Sequence, residues 1–195
     1  MDSLCVFCGA SAGHDPVYRD AARAFGSTLA AQGLELVWGG GHVGLMGIVA
    51  DAVHAGGGHS YGVIPSFMAE RELAHQEATE LVVVDSMHSR KAAMAARADA
   101  FVALPGGFGT LDELFEIITW SQLHIHHKPI GLLNVNGFFD PLITFMRHTV
   151  EAGFVKQMHI EQIQVDADPA ALVARLRAHR PLEGDWITKV RPDPV

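Results

Sequence analysis

Charge is scarce in this chain. Only 18% of its 195 residues are Asp, Glu, Lys or Arg, against 49% hydrophobic. That balance excludes a disordered polyelectrolyte and suits one domain with a buried core. Basic residues are the scarcer sign: 14 Lys and Arg against 22 Asp and Glu leave a net charge of −8. They are scattered, and a nucleic-acid groove needs a basic patch, so no nucleic-acid partner is expected. No uncharged apolar run reaches the ~18 residues of a membrane helix, so no membrane span is expected. The N-terminus passes almost directly into strand-like residues, which argues against a signal peptide and points to the cytoplasm.

Cysteine is nearly absent too, with Cys5 and Cys8 alone. A C-x-x-C pair can mark zinc or redox chemistry. Here both fall in one strand-like run, Leu4 to Cys8, where residues three apart point to opposite faces. The spacing predicts two buried, reduced thiols. Other signatures are missing outright. There is no G-x-x-x-x-G-K-[ST] phosphate loop and no cysteine at a helix start. The twelve histidines lack the carboxylate and spacing of a zinc hydrolase, and His124, His126 and His127 read as surface or interface residues. No metal is expected.

Glycine, by contrast, is abundant and placed with a pattern. Short apolar runs alternate with amphipathic ones along the whole chain. The predicted strands are Leu4–Cys8, Leu34–Trp38, Tyr61–Ile64, Glu80–Val84, Ala100–Leu104, Ile130–Leu133 and Gln162–Val165. Helices are expected after Pro16, from the turn at Gly44 to near Ala55, over Met87–Ala98 and Leu111–Leu123, from Phe139 to Glu151, and from Pro169 to His179. Asp15 and Asp168 are placed to cap two of them. Ser66 to Thr79 is the least regular stretch. Alternating strands and helices predict an α/β fold, a Rossmann-like, doubly wound and mainly parallel sheet with helices on both faces. One domain is expected over residues 1–180, with 181–195 a loosely held tail.

In such sheets ligands bind where strands end and helices begin. Two glycine-rich turns fall there. Gly39-x-Gly41-x-x-Gly44 fits the dinucleotide fingerprint, but the next strand ends Val63-Ile64-Pro65 without the acid that would hold a ribose. Either these glycines shape a tight turn only, or they approach some other ligand. Pro105-Gly106-Gly107-Phe108-Gly109-Thr110-Leu111-Asp112-Glu113 joins a strand to a helix, a ready anion site. Glu113 next to a bound phosphate is electrostatically costly. Local sequence leaves two readings of it open: a capping-box partner of Thr110, or a catalytic carboxylate. Arg90 and Lys91 lie in the first turn of a helix, against its dipole. They are either solvated charges or hold an anion nearby.

The set Cys8-Gly9-Ala10-Ser11, Gly39-Gly40-Gly41…Gly44-Leu45-Met46-Gly47, Met87-His88-x-Arg90-Lys91 and Pro105-Gly106-Gly107-x-Gly109-Thr110-x-x-Glu113 resembles the LONELY GUY (LOG) family. These are cytokinin-activating phosphoribohydrolases, long mislabelled as lysine decarboxylases, and the similarity runs from about Leu4 to Phe154. The resemblance implies hydrolysis of the N-glycosidic bond of an adenosine 5′-monophosphate, with or without an N6 substituent. It implies Arg90 and Glu113 as catalytic residues. It implies substrate contacts from Ser11, Gly40, Gly41, Glu72, Lys91, Gly106, Gly107, Phe108, Gly109, Thr110, Leu111, Asp112 and Thr119. No cofactor is implied, and a homodimer or larger assembly is, with the helix around Thr119 to Leu123 near the two-fold axis. A nucleotide or molybdenum-cofactor carrier on the same fold is the alternative. Decarboxylation needs a pyridoxal lysine in a recognisable setting, and none is visible.

Overall fold

In the computed structural model, which describes residues 1–70 and 73–181, every strand of the sheet is parallel. The elements run β1 (Ser3–Phe7), α1 (Pro16–Ala31), β2 (Glu35–Trp38), α2 (Gly44–Ala55), β3 (Ser60–Pro65), α3 (Ser66–Ala69), β4 (Glu80–Val84), α4 (Met87–Arg97) and β5 (Ala100–Ala103). Then come α5 (Phe108–Gln122), β6 (Ile130–Leu133), α6 (Asp140–Glu151), α7 (Gln157–Glu161), β7 (Ile163–Asp166) and α8 (Pro169–Ala178). The strand order is β4-β3-β2-β1-β5-β6-β7.

That order has one reversal, between β1 and β5. The chain winds outward from β1 to β3 and β4, returns through α4, and winds outward again through β6 and β7. Right-handed crossovers then put α1 and α2 on one face and α4, α5 and α6 on the other, while α8, after the last strand, returns to the first. The core divides accordingly. Leu4, Val6 and Cys8 pack with residues of α1, α2 and α8, while Cys5 and Phe7 pack with residues of α4, α5 and α6. The alternation of a strand sends the two cysteines to opposite faces, and both are buried free thiols whose pKa burial pushes up. Buried strands such as β1, β5 and β6 are apolar throughout. The edge strand β4 is equally apolar in sequence, yet Val83 on it is 56% exposed.

Local chemistry sets the helix ends. Asp15 accepts from the Val17 N–H with Pro16 at the first helical position, and Asp168 accepts from the Ala171 N–H with Pro169 in the same place. Gly33 closes α1 with φ +64°. The short α3 and α7 fall where the sequence pattern had no period long enough to read. The residues of the expected tail from 182 on lie outside the described residues.

The reversal point is held by backbone. The Gly9 N–H donates to the Pro105 carbonyl (3.1 Å), tying the loop after β1 to the loop after β5. The Leu45 N–H at the start of α2 donates to the Gly9 carbonyl (2.9 Å). Gly44 makes that approach possible. Its φ is +62°, and a Cβ there would lie 2.3 Å from the Ala10 carbonyl carbon. Gly44→Ala therefore combines left-handed strain with overpacking, and is expected to cost roughly 2–4 kcal/mol. Urea unfolding against wild type checks this, and a loss under about 1 kcal/mol would contradict it.

Candidate active site

A cavity of about 520 Å³ opens at the reversal point. The loops after β1 and β5 form its floor, and Leu45, Met46, Met68, Met87, Tyr18 and Phe138 form apolar walls. Its polar end is the start of α5 with Arg90 and Glu113. The volume falls in the range of small-ligand sites.

Helix α5 begins at Phe108, three residues before the sequence pattern placed it. Its N-cap is Gly107, which has no side chain to offer, and no cap hydrogen bond is made. Leu111 N–H is the first to find a helical carbonyl, that of Gly107 (3.1 Å). The N–H groups of Phe108, Gly109 and Thr110 therefore precede the helical ladder. No acidic residue stands in the first turn. An uncapped helix N-terminus opening on a cavity is an anion site.

The early start rules out one of the two readings of Glu113, that of a capping-box partner. Thr110 is inside the helix and buried, so it is not an N-cap, and the capping box does not form. Thr110 packs instead over Gly106, where a Cβ would lie 2.1 Å from the hydroxyl oxygen. Glu113 turns inward, and its Oε1 stands 3.8 Å from Arg90 Nη1. Burial pushes the carboxyl up to about 7, Arg90 opposes the rise, and Asp112 adds to it.

Arg90 is 6% exposed, so the reading of a solvated charge does not hold. Its Nε donates to the Val63 carbonyl (3.2 Å) and its Nη2 to the Gly39 carbonyl (3.1 Å). Lys91 points elsewhere. Its Nζ stands 3.1 Å from both Asp112 and Glu116. Burial works to lower its pKa, but these carboxylates outweigh burial and raise it.

The structure thus brings Ser11, Arg90, Gly106, Gly107, Phe108, Gly109, Thr110, Asp112 and Glu113 to one cavity. Lys91, Leu111, Thr119, Gly40 and Gly41 are not among its lining residues. Leu111 and Thr119 line a hollow on the outer face of α5, where Thr119 Oγ1 donates to the Phe115 carbonyl (2.7 Å). Gly40 and Gly41 are occupied by the chain itself. His75 N–H donates to the Gly40 carbonyl (2.8 Å), and Gly41 bridges to Ala74. Glu72 lies outside the described residues. Sequence reasoning missed Tyr18, Phe138 and the three methionines, because single apolar residues from four helices and the loop before α6 leave no local signal.

A family model described as a possible lysine decarboxylase matches residues 46–176. No lysine among the described residues lines the cavity, so a Schiff-base site is not built there. The chain is 46% identical over 188 residues to a probable cytokinin riboside 5′-monophosphate phosphoribohydrolase of Oryza sativa subsp. japonica, covering 96% of this chain and 77% of that one. It is 49% identical over 185 residues to a cytokinin riboside 5′-monophosphate phosphoribohydrolase of Arabidopsis thaliana, covering 95% and 85%. Among solved structures, the molybdenum cofactor carrier protein of Chlamydomonas reinhardtii matches with a TM-score of 0.68 at 23% identity, covering 90% of this chain and 98% of that one. A molybdenum cofactor binding protein of Rippkaea orientalis matches with 0.68 at 20% identity, covering 90% and 95%. At such identities these two share the fold.

The raised carboxyl has a consequence for stability. Glu113 has an ordinary pKa near 4.5 when unfolded and about 7 when folded. Below about 4.5 both states are protonated and nothing is lost. As pH rises through 7 the folded state comes to hold a disfavoured charge, at a cost of up to about 3 kcal/mol. Glu113→Gln is therefore expected to gain stability over wild type between about pH 5 and pH 8. Urea unfolding at both pH values measures it, and a difference that does not change with pH would sink the assignment.

Proposed function

The chain belongs to the family of cytokinin riboside 5′-monophosphate phosphoribohydrolases, and on that premise we propose that it hydrolyses the N-glycosidic bond of adenosine 5′-monophosphates and their N6-substituted forms. The products are the free base and ribose 5-phosphate. One observation carries this reading: a buried Glu–Arg pair stands one to two helical turns from an uncapped helix N-terminus, in one cavity.

The 5′-phosphate sits on the N–H groups of Phe108, Gly109 and Thr110, close to the bare backbone of Gly106 and Gly107. The sugar then lies against Glu113. Cleavage passes through an oxocarbenium-like sugar. The ionised carboxylate stabilises that cation and takes a proton from the attacking water, whose oxygen bonds the anomeric carbon as the base departs with the bonding electron pair; the base takes up a proton from solvent, and Glu113 returns one. Arg90 favours the ionised form of Glu113 through Nη1. The apolar walls receive the base. A carrier would need none of this acid–base arrangement, and the likeness to molybdenum-cofactor proteins bears on fold alone.

Chromatography of products from a panel of base-substituted monophosphates tests the activity. Base release is expected from AMP or an N6-substituted AMP, and no release from any of them would refute the reading. Glu113→Gln should lower kcat by roughly 10²–10⁴-fold while nucleotide binding persists. Because the carboxylate is the working form, kcat/KM should rise with pH through about 7 and then level off. A rate that falls over that range would instead make Glu113 a proton donor.

The same reading includes a homodimer in the cytoplasm. Phe108 is 93% exposed, and Phe115, Leu123 and Ile125 on and after α5 are also exposed. Covering this apolar strip with a second copy would also cover the hollow that holds Thr119. Two unpaired thiols suit a reducing compartment. Analytical ultracentrifugation should show twice the chain mass for wild type and the single mass for Phe115→Glu. A monomeric wild type would contradict the pairing.

A further inference from the structure

The turn from β2 to α2 carries dinucleotide spacing, yet its glycines do not line the cavity. One of the first N–H groups of α2, that of Leu45, is taken by the Gly9 carbonyl. The spacing has some other cause, and at its first glycine that cause is one side chain. Arg90 reaches from α4 across the ends of β3 and β2, donating to the Val63 and Gly39 carbonyls. A Cβ on Gly39 would lie 1.6 Å from Arg90 Nη2, 2.7 Å from Cζ and 3.2 Å from Nε. Its three nearest neighbours would all belong to that guanidinium. Gly39 is also absent from the positive-φ glycines, so backbone conformation does not require glycine there.

We infer that Gly39 is a positioning residue for Arg90: its missing side chain makes room for the guanidinium and its carbonyl anchors Nη2, so that Nη1 is the edge brought to Glu113. The role of that pair in base release rests on the function proposed above; the seat itself does not. Any side chain at position 39 displaces the guanidinium, which then loses both carbonyls and its place beside Glu113. The colliding atoms are the far end of a flexible side chain, so the chain can still fold by moving them aside.

The test is a cycle of wild type, Gly39→Ala, Arg90→Ala and the double variant, read by thermal unfolding and by kcat/KM for base release. Gly39→Ala is expected to lower kcat/KM by roughly 100-fold, the scale of a misplaced catalytic group. The double variant should be no slower than Arg90→Ala alone. Gly39→Ala should lower Tm when Arg90 is present and leave it unchanged when Arg90 is alanine. With the guanidinium gone from Glu113, the pH midpoint of kcat/KM in Gly39→Ala should move up from the wild-type value. Free guanidinium at a non-denaturing concentration should restore activity to Arg90→Ala but not to the double variant, whose Cβ fills the seat. Equal Tm losses in both backgrounds, with activity losses that multiply, would make Gly39 a turn residue and overturn the inference. Should wild type release no base, the Tm cycle still decides the seat, so the two failures are told apart.

Discussion

A positive charge buried at the carboxyl edge of a parallel sheet is the constraint around which the rest is arranged. Arg90 is almost wholly withdrawn from water. An unpaired buried charge costs several kcal/mol, so the fold must supply partners. It supplies two carbonyls, from Val63 on β3 and Gly39 after β2, and one carboxylate from α5. Each of these has its own requirement. Gly39 must lack a side chain. Glu113 must be carried into the interior, and α5 does so. Three partners far apart in sequence thus converge on one guanidinium, and the burial that makes Arg90 demanding is the same burial that raises Glu113.

The sheet order explains why the convergence happens where it does. Right-handed crossovers carry α1 and α2 to one face and α4, α5 and α6 to the other, and the connections diverge between β1 and β5. A cleft at that point follows from topology before any side chain is chosen. The bond from Gly9 N–H to the Pro105 carbonyl keeps the cleft from widening. Two glycine-rich turns lead to helix starts near it, and they differ in one backbone contact. At α2 the Gly9 carbonyl caps the turn from inside the protein. At α5 no side chain among the described residues caps the helix, and its first N–H groups face the cavity.

Strand identity was legible because parallel strands are short, apolar and separated by helical periods, and β4 and β6 fall where the pattern put them. The site was legible only in part. The start of α5 was placed three residues late because Phe108, Gly109 and Thr110 look like turn residues, and nothing local says that Gly107 ends the turn. That error is what made a capping box with Thr110 look possible. Arg90 and Lys91 are neighbours of like charge, and sequence treats them alike. Their fates differ because residues about 100° apart on a helix meet different surroundings: one meets the strand ends, the other meets Asp112 and Glu116. Contacts between β2, β3 and α4 have no signature in local periodicity, so the reason for Gly39 could not be read from its own turn.

The diversion of Lys91 bears on the chemistry. Among the described residues, Arg90 is the one basic side chain lining the cavity, and Asp112 and Glu113 line it too. Formal charge alone would therefore not draw an anion in. The attraction rests on oriented backbone: three N–H groups ahead of the helical ladder and a dipole worth roughly half a positive charge. A lysine in the same place would bind phosphate more strongly, but it would also pair with Glu113 and hold the carboxylate low and occupied. Backbone dipoles do not compete in that way. In the proposed reaction they would fix the anion at the end of α5 while Glu113, further along the same helix, titrates near neutrality. Holding the anion with peptide groups, and keeping Arg90 for the carboxylate, would let two negative groups share a cavity of this size.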